Sequence, residues 1–507
     1  MSETATPSSS PEYFGQGGRL EASAAEALIA SAYRHDCADA DILLPGLHDA
    51  DLAHAIALIE AGVIPSAVAK SLMRGLIEVG NIPTKDFPVR PELGDVYNSK
   101  EAVLKAKLGD VAGWIHAGRA RREAVNIAYL LAVRSRVLSL MDAHGSMALA
   151  ALNTAEENIH TLMPDFTYLQ HAHPTSFGHY LLTFVYPILR DMERLQHAFG
   201  VFNASVAGSG SVNGSRLPID RARLSELLGC DSVATHTRDA MWQPDIPIEL
   251  MAAITALLVN IDRLAEELQI WFTAEFDFAG FSDDLARASI IMPQKKNPYG
   301  LAYIRGLTGS MLGKTASFAA VGKTYSGNPD SRVFIYGELP RALDRTTEAV
   351  VLFHSMLRGL TLNKDVMDRR ASEGFPQATD LAELIMTHCK LDYRTAHQIV
   401  GKIVRSTLEK RIPSMHVTRE MVNEAAVQVT GTPLDLPAEQ LADALDPMKI
   451  VQSRQGVGGA APERMAEMIV ECRNRIAADL SWAGAARARL TKSRDALLAH
   501  AAQLASL

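Results

Sequence analysis

Long stretches in which apolar residues recur every three or four positions alternate with polar, glycine-rich connectors along the chain. The clearest stretch is 248–273, where the spacing predicts one long helix with a continuous apolar stripe. A helix cannot bury such a stripe alone, so this one predicts a bundle, formed either within the subunit or between subunits. The stripe consists of Leu250, Ile254, Leu257, Ile261, Leu264 and Leu268.

The same spacing predicts helices along most of the chain. An N-terminal helix has apolar residues at Leu52, Ile56 and Ile59, and its polar residues fall on other faces: Asp51, His54 and Glu60. Helices are also predicted over 377–390, 393–412 and 460–480. Since no strand-like run is strong enough to predict a sizeable sheet, the expected fold class is all-α.

Two further helices are predicted with definite ends. One covers 119–144 and stops before Gly145. The other covers 174–203, begins at Pro174 because proline is favoured in a first helical turn, and is kinked by Pro187. The connectors, rich in glycine and proline, are typical of binding loops; they lie at 85–99, 208–218, 278–289 and 321–332.

Charge and composition exclude several classes of protein. The net charge of −8 and the absence of a basic block argue against a nucleic-acid partner. The four cysteines lie far apart, which indicates reduced thiols and a cytoplasmic protein. The chain has no stretch of 18 uninterrupted apolar residues, so no membrane span is predicted. Residues 1–20, rich in serine and proline, are expected to form a flexible tail without the features of a secretory signal.

The connector before Tyr299 carries the candidate chemistry, and residues 288–298 read ASIIMPQKKNP. Its hydroxyl, two ammonium groups and amide suit a carboxylate substrate. On composition alone, however, a solvated surface loop with ordinary lysines is the more frequent arrangement.

The complete string resembles the signature GSSxMPxKxNP of the aspartase/fumarase superfamily, and the form MPQKKNP is most similar to the argininosuccinate lyase branch. Other segments resemble that branch in the same order, so that the resemblance extends over about residues 95–470: GWIHAGRAR (113–121), AEENIHTLMPDFTYLQHAHPTSFGHYLL (155–182), IDRARLSELLG (219–229), ATDLAELIMTHCKLDYRTAHQIVGKIV (378–404) and LDPMKIVQSRQGVGGAAPERM (445–465).

The resemblance implies a three-domain, mainly helical subunit whose central helices form a twenty-helix bundle in a homotetramer. Each active site then gathers residues from three subunits. Expected boundaries are 21–118 for the N-terminal domain, 119–361 for the central helical-bundle domain and 362–507 for the C-terminal domain. The reaction implied is elimination of fumarate, with no metal and no cofactor.

The resemblance also implies the roles of individual residues. Ser289 takes the place of the catalytic base, and Met292, Lys295 and Asn297 take places near the substrate carboxylate. In the first region, Arg121 matches a substrate-binding arginine. In the second region, Thr167 and Gln170 match further substrate contacts, although ordinary chemistry at a helix start is the alternative for this pair.

This chain departs from the branch at several positions. Ile290 replaces the second serine of the signature, and Arg122 stands where the branch has an asparagine. Arg122 could clamp a carboxylate or form an ion pair with Glu123 or another acid. Tyr168 replaces a histidine that the branch pairs with a glutamate, whose position falls at Ala302. The proton for the departing amine is then left to Tyr168, to Lys295, to water or to the amine itself.

These departures argue against arginine as the departing amine and favour a carbon–nitrogen lyase similar to ethylenediamine-N,N′-disuccinate (EDDS) lyase, acting on an aminopolycarboxylate. The alternatives are an argininosuccinate lyase and a non-catalytic, crystallin-like member of the superfamily. His171 and His173 are expected to pack rather than to bind metal, because residues two apart on a helix point away from each other.

Overall fold

A computed structural model describes residues 22–328 and 332–506, so the tail predicted for residues 1–20 lies outside the described residues. The chain is mainly helical, which confirms the predicted all-α class. Short helical turns over 26–37 precede the N-terminal helices, which are α1 (Ala40–Glu60), α2 (Ser66–Gly80) and α3 (Val96–Leu108). Buried apolar residues of these helices belong to the same hydrophobic core as the central helices.

The central part is built on long helices joined by small strands. In chain order, they are α4 (Arg121–Glu157), β1 (Leu162–Thr167), β2 (Gln170–Ser176), α5 (Phe177–Phe202), β3 (Ala204–Ser205), α6 (Arg221–Leu227), β4 (Ser232–Val233), α7 (Thr237–Trp242), α8 (Asp245–Trp271), β5 (Ala279–Phe281), β6 (Arg287–Ala288), β7 (Lys296–Asn297), α9 (Tyr299–Gly322) and α10 (Glu338–Arg358). The ladders are β1–β2, β3–β4, β5 with the later β8, and β6–β7.

The remaining elements are β8 (Leu360–Leu362), α11 (Lys364–Arg370), α12 (Ala378–Cys389), α13 (Tyr393–Lys410), α14 (Arg419–Thr430), α15 (Ala438–Leu445), α16 (Pro447–Ser453) and α17 (Pro462–Ser506). Residues 375–445 bury a second hydrophobic core of their own. Helix α17 instead packs on the first core, against α4, α2 and α5. The boundary predicted at residue 362 stays a prediction, but the last helix belongs with the central packing.

Helix α4 is longer than predicted, because Gly145 does not end it. A Cβ built on Gly145 would lie 2.6 Å from a methyl carbon of Leu480, so the missing side chain lets α4 and α17 approach closely. With 37 residues at 1.5 Å per residue, α4 is about 55 Å long.

The helix predicted to begin at Pro174 begins at Phe177. Its N-cap is Ser176, whose hydroxyl accepts the backbone N–H of His179 at 3.1 Å. Pro174 belongs to strand β2, and Pro187 lies inside α5 as predicted. The residues that read as a helix start are therefore the second strand of a hairpin.

The apolar stripe on α8, which predicted a bundle, is buried inside the subunit. All six apolar residues of the stripe on α8 are buried, and the helix packs against α5 and α9. Helices α1 and α4 also contain stretches long and apolar enough for a membrane span, but 83% and 72% of those stretches are buried inside the subunit. Burial of this kind is what core helices show.

The bundle has two distinct ends. At the first end lie the start of α4, the end of α5 and the start of α8, because Asn126 donates to the carbonyl of Ala240 at 3.2 Å and Glu123 accepts the N–H of Gly208 at 2.7 Å. At the second end lie the end of α4 and the start of α5, because the N–H of Gly178 donates to the carbonyl of Asn158 at 3.0 Å. Each end carries different candidate residues.

Candidate active site

The signature loop at the second end is the tip of a short hairpin. Strands β6 and β7 pair antiparallel, and residues 289–295 connect them. The backbone N–H of Met292 donates to Oγ of Ser289 at 3.2 Å, and the N–H of Lys295 donates to the carbonyl of Met292 at 3.0 Å. The amide of Asn297 donates to the carbonyl of Arg287 at 2.8 Å, which joins the two strands. The sequence-predicted residues of this loop thus lie together.

The tip of the loop exposes apolar side chains. Ile290 is fully exposed and Ile291 is 84% exposed, and Met292 is also exposed. Large apolar side chains are exposed to solvent on a loop that carries candidate catalytic residues. Such exposure indicates a surface that another chain or a ligand covers. Ser289, by contrast, is half-buried beneath them.

Thr167 and Gln170 form the closing pair of the β1–β2 hairpin, so the alternative of helix-start chemistry for them is wrong. Tyr168 and Leu169 make the two-residue turn with φ of 56° and 58°. Two consecutive positive φ values are the geometry of a type I′ turn, which places both residues at the tip. Tyr168 is 100% exposed there. The tip projects from the same end of the bundle as the signature loop.

His171 and His173 lie on strand β2 rather than on a helix, so their side chains share one face. Nδ1 of His171 bonds the carbonyl of Glu373 at 2.6 Å, which ties the hairpin to the segment after α11. Among the residues that the structure describes, no group of three His, Cys, Asp or Glu side chains is placed to hold a metal ion.

Arg121 and Arg122 lie at the first end, where α4 begins. Nη1 of Arg121 lies 3.1 Å from Oδ2 of Asp95, while Oδ1 of Asp95 accepts the N–H of Asn98 and caps α3. Arg122 lines a small cavity together with Asp36 and Asp95. Burial raises the pKa of Asp36, and the charge of Arg122 opposes that rise.

Glu123 has other partners than Arg122. Its two carboxylate oxygens accept the backbone N–H groups of Gly208 at 2.7 Å and Gly210 at 2.6 Å. Burial raises the pKa of Glu123, while Arg119 and these two N–H donors act against the rise. Of the alternatives for Arg122, an ion pair with acids of the N-terminal segment therefore fits better than a pair with Glu123.

A buried cluster of charges behind Arg121 was missed by the pattern of polar positions. Asp51 and His54, predicted on faces of α1 other than the apolar one, are 4% and 2% exposed. The carboxylate of Asp51 accepts from the ammonium of Lys100 and from the guanidinium of Arg119. Burial alone would raise the pKa of Asp51, but these two cations hold it far below its usual value. Nothing in the local spacing signals such a cluster, because α1 is buried on almost every side.

The candidate residues do not form one site within a subunit. Arg121 begins α4, and the hairpin that carries Thr167 follows its far end, so about 55 Å of helix separates them. The loop of Ser289 lies at the hairpin end. The N–H of Ser282 donates to the carbonyl of Gly359, which ends α10, and the last residues of α10 line one cavity with the last residues of α4.

The comparisons with known proteins agree with this architecture. The model of the lyase family matches residues 36–313, more than half of the chain, and that of the argininosuccinate lyase C-terminal region matches residues 375–452. Argininosuccinate lyase of Methanoculleus marisnigri is 33% identical over 462 residues, covering 90% of this chain and 92% of that protein. The enzyme of the same name from Methanocaldococcus jannaschii is 31% identical over 465 residues, covering 91% and 93%.

A solved structure of EDDS lyase in complex with formate has a TM-score of 0.85 at 26% identity, covering 96% of this chain and 97% of that one. A variant of EDDS lyase with bound fumarate matches equally well, with a TM-score of 0.85 and 26% identity. The chain therefore belongs to the lyase family, as a fumarate-releasing member of the argininosuccinate lyase branch of the aspartase/fumarase superfamily.

Proposed function

We propose that this chain is a carbon–nitrogen lyase that reversibly eliminates fumarate from an N-substituted L-aspartate. The observation that carries the proposal is the signature loop. It keeps the hydroxyl of Ser289, the ammonium of Lys295 and the amide of Asn297 on one short hairpin, whereas positions that handle the amine in the branch are replaced. An enzyme that accepts a different amine would keep the residues that bind the substrate carboxylate and change those that contact the amine.

In the proposed mechanism, Ser289 as an oxyanion removes the proton from the carbon next to one substrate carboxylate. The electron pair left behind forms a doubly charged aci-carboxylate, which is costly unless cations and donors are already in place. The pair then forms the carbon–carbon double bond of fumarate, the carbon–nitrogen bond breaks, and its electrons leave on the amine nitrogen. An alkylamine that is already protonated needs no further acid; otherwise Tyr168, Lys295 or water supplies the proton.

A serine needs stabilisation of its charged form to act as this base. The N–H of Met292 supplies one donor at 3.2 Å from Oγ. Lys295, at the end of the same loop, is the candidate for the cation that stabilises the aci-carboxylate.

We propose further that the active sites form between subunits of a homotetramer, with Arg121 of the first region facing the hairpin and signature loop of other subunits. Three observations support this: the length of α4, the exposed tip residues Tyr168 and Ile290, and an exposed stripe on α9. The stripe consists of small residues that allow close approach of another helix: Ala302, Gly306, Gly309, Gly313, Ser317 and Ala320.

For the substrate we propose an aminopolycarboxylate such as EDDS. The support is the likeness to EDDS lyase over nearly the whole chain at 26% identity, together with Tyr168 and Ala302 in place of the histidine–glutamate pair of the branch. The two positions change together, which is coherent because a lone buried carboxylate or imidazole would be costly without its partner.

Argininosuccinate lyase is the second candidate, and a specific observation favours it. The relatives that bear this name are 33% and 31% identical to the chain, more than the 26% of EDDS lyase. Against it stand the replaced residues of the first region, Ala120 and Ala124, which lack the hydroxyl and amide of the branch.

One experiment separates these candidates. The protein is incubated with fumarate and a panel of amines that includes ethylenediamine, arginine and ammonia, and the loss of fumarate absorbance is followed. Consumption with ethylenediamine or a related amine, and none with arginine, is expected. Consumption with arginine alone would establish the second candidate, and no consumption with any amine would favour a non-catalytic, crystallin-like protein.

A further inference from the structure

The two adjacent lysines of the signature loop have different surroundings. Lys295 ends the tip of the loop, and Lys296 begins strand β7. The ammonium of Lys296 turns back toward the body of the subunit, where it donates to the carbonyl of Phe281 and lies 2.8 Å from Oδ1 of Asp283.

The carbonyl that Lys296 reaches belongs to a firmly held residue. Phe281 is buried and ends strand β5, where it pairs with Leu360 of β8. The next residue donates its N–H to the carbonyl of Gly359 at 3.2 Å. Two successive pairings therefore fix this point to the segment that follows α10.

Among the described residues, the hydrogen bonds of the loop tip are by contrast local. The bonds of its residues run from Met292 to Ser289 and from Lys295 to Met292. Cross-strand contacts at the base, from Asn297 to Arg287, shape the hairpin but do not set its position on the bundle. Lys296 joins the hairpin to the fixed ladder of β5 and β8 across 15 residues of chain.

We propose that Lys296 is a positioning residue, which fixes the signature hairpin so that Ser289 and Lys295 stand at their working places. This inference rests on the proposed function of those two residues. A displacement of about 1 Å at a reacting group costs on the order of a hundredfold in rate. The bond to the carbonyl of Phe281 carries the effect. The ion pair with fully exposed Asp283 adds little, because water screens it.

Three variants test the proposal: Lys296→Met, which keeps the length of the side chain but removes the donor; Lys296→Arg, which keeps a charged donor; and Asp283→Asn, which removes only the ion pair. The first readout, which needs no substrate, is hydrogen–deuterium exchange of the amides of Met292 and Lys295, the two N–H groups that donate within the loop. We expect faster exchange in Lys296→Met and exchange close to wild type in the other two.

The second readout is turnover in the fumarate assay. Lys296→Met should lower kcat about tenfold to a hundredfold while KM for fumarate changes less than about threefold, and Lys296→Arg should recover most of kcat. Wild-type exchange in Lys296→Met, or wild-type kcat in that variant, would overturn the proposal. If the wild type consumes no fumarate with any amine, the proposed function fails, and the exchange measurement still decides whether Lys296 holds the loop.

Discussion

Among the described residues, the hydroxyl of Ser289 has one hydrogen-bond partner, the N–H of Met292, from which it accepts. A single backbone donor is too little to turn a serine into a base, since the charged form of an alcohol needs several donors or cations around it. The exposed Ile290 and Ile291 beside it indicate that another surface closes over the loop. At the scale of the residue, the proposed base would therefore need further donors from the proposed assembly and from the substrate.

Arg122 is expected to act within the subunit rather than on the substrate, because it shares a cavity with Asp36 and Asp95. Arg122→Ala should lower the melting temperature and change KM for the amine less than about twofold. Arg121→Ala, measured beside it, should raise KM or reduce kcat/KM by at least about tenfold. A large rise of KM in Arg122→Ala at an unchanged melting temperature would instead support a carboxylate clamp.

His54 should make the protein less stable as the pH falls. Burial, and then the charge of Arg119, lower the pKa of this histidine to about 3 in the folded state, whereas an unfolded histidine has a pKa of about 6.5. Below about pH 6.5 the unfolded chain gains a proton that the folded one does not, so stability is lost as the pH drops toward 3.

The melting temperature at pH 7 and pH 5 checks this expectation. His54→Gln, whose amide can still donate to the carbonyl of Ala117 as His54 does at 2.9 Å, should show a smaller drop than wild type. His388→Gln, at an exposed position, should show the wild-type drop. An equal drop in all three proteins would remove His54 as the cause.

At the scale of elements, helices with a one-sided apolar stripe were predictable, and α8 lies within a few residues of its predicted range. Two sequence signals gave wrong helix ends, one for α4 and one for α5. Gly145 reads as a helix end but marks a close crossing with α17, and only the tertiary neighbour Leu480 shows the difference. Pro174 reads as a first helical turn but lies on β2. The hairpin was not predicted because its turn, Tyr168 and Leu169, has none of the usual glycine or asparagine.

The close crossing of α4 and α17 gives a stability prediction. Gly145→Leu should cost about 1–3 kcal/mol, because the new side chain meets Leu480 in a packed interface. Gly484→Leu on α17 is the matched control. A Cβ there meets nothing within 4 Å, and a helix gains up to about 1 kcal/mol when leucine replaces glycine. Thermal melting of both variants decides, and equal melting temperatures would contradict the assigned contact.

At the scale of the whole molecule, the sequence motifs identify candidate residues but not how far apart they lie. The motifs of Arg121, Thr167 and Ser289 carry no information about distance, which follows from the continuous 37-residue α4. The cluster of Asp51, Lys100 and Arg119 was equally invisible, since it joins residues far apart in the chain. The structure thereby turns a set of motif residues into two surfaces at opposite ends of one bundle.

Two inactive variants should restore each other if the sites form between subunits. Arg121→Ala and Ser289→Ala are each expected to lose activity, and their co-expression should produce mixed tetramers. When the two residues of a site come from different subunits that assort at random, about a quarter of the sites are intact. Activity near that fraction of wild type is expected in the mixture. No recovery in tetramers proved to be mixed would contradict shared sites.

In the proposed elimination of fumarate, Ser289 removes the proton. The most direct test is the rate of fumarate consumption by Ser289→Ala and by wild type, measured with an amine that the wild type accepts and at equal concentrations of assembled protein. We expect the variant to keep the wild-type assembly and melting temperature and to lose at least about a thousandfold in kcat. A variant that assembles normally and consumes fumarate at the wild-type rate would contradict it.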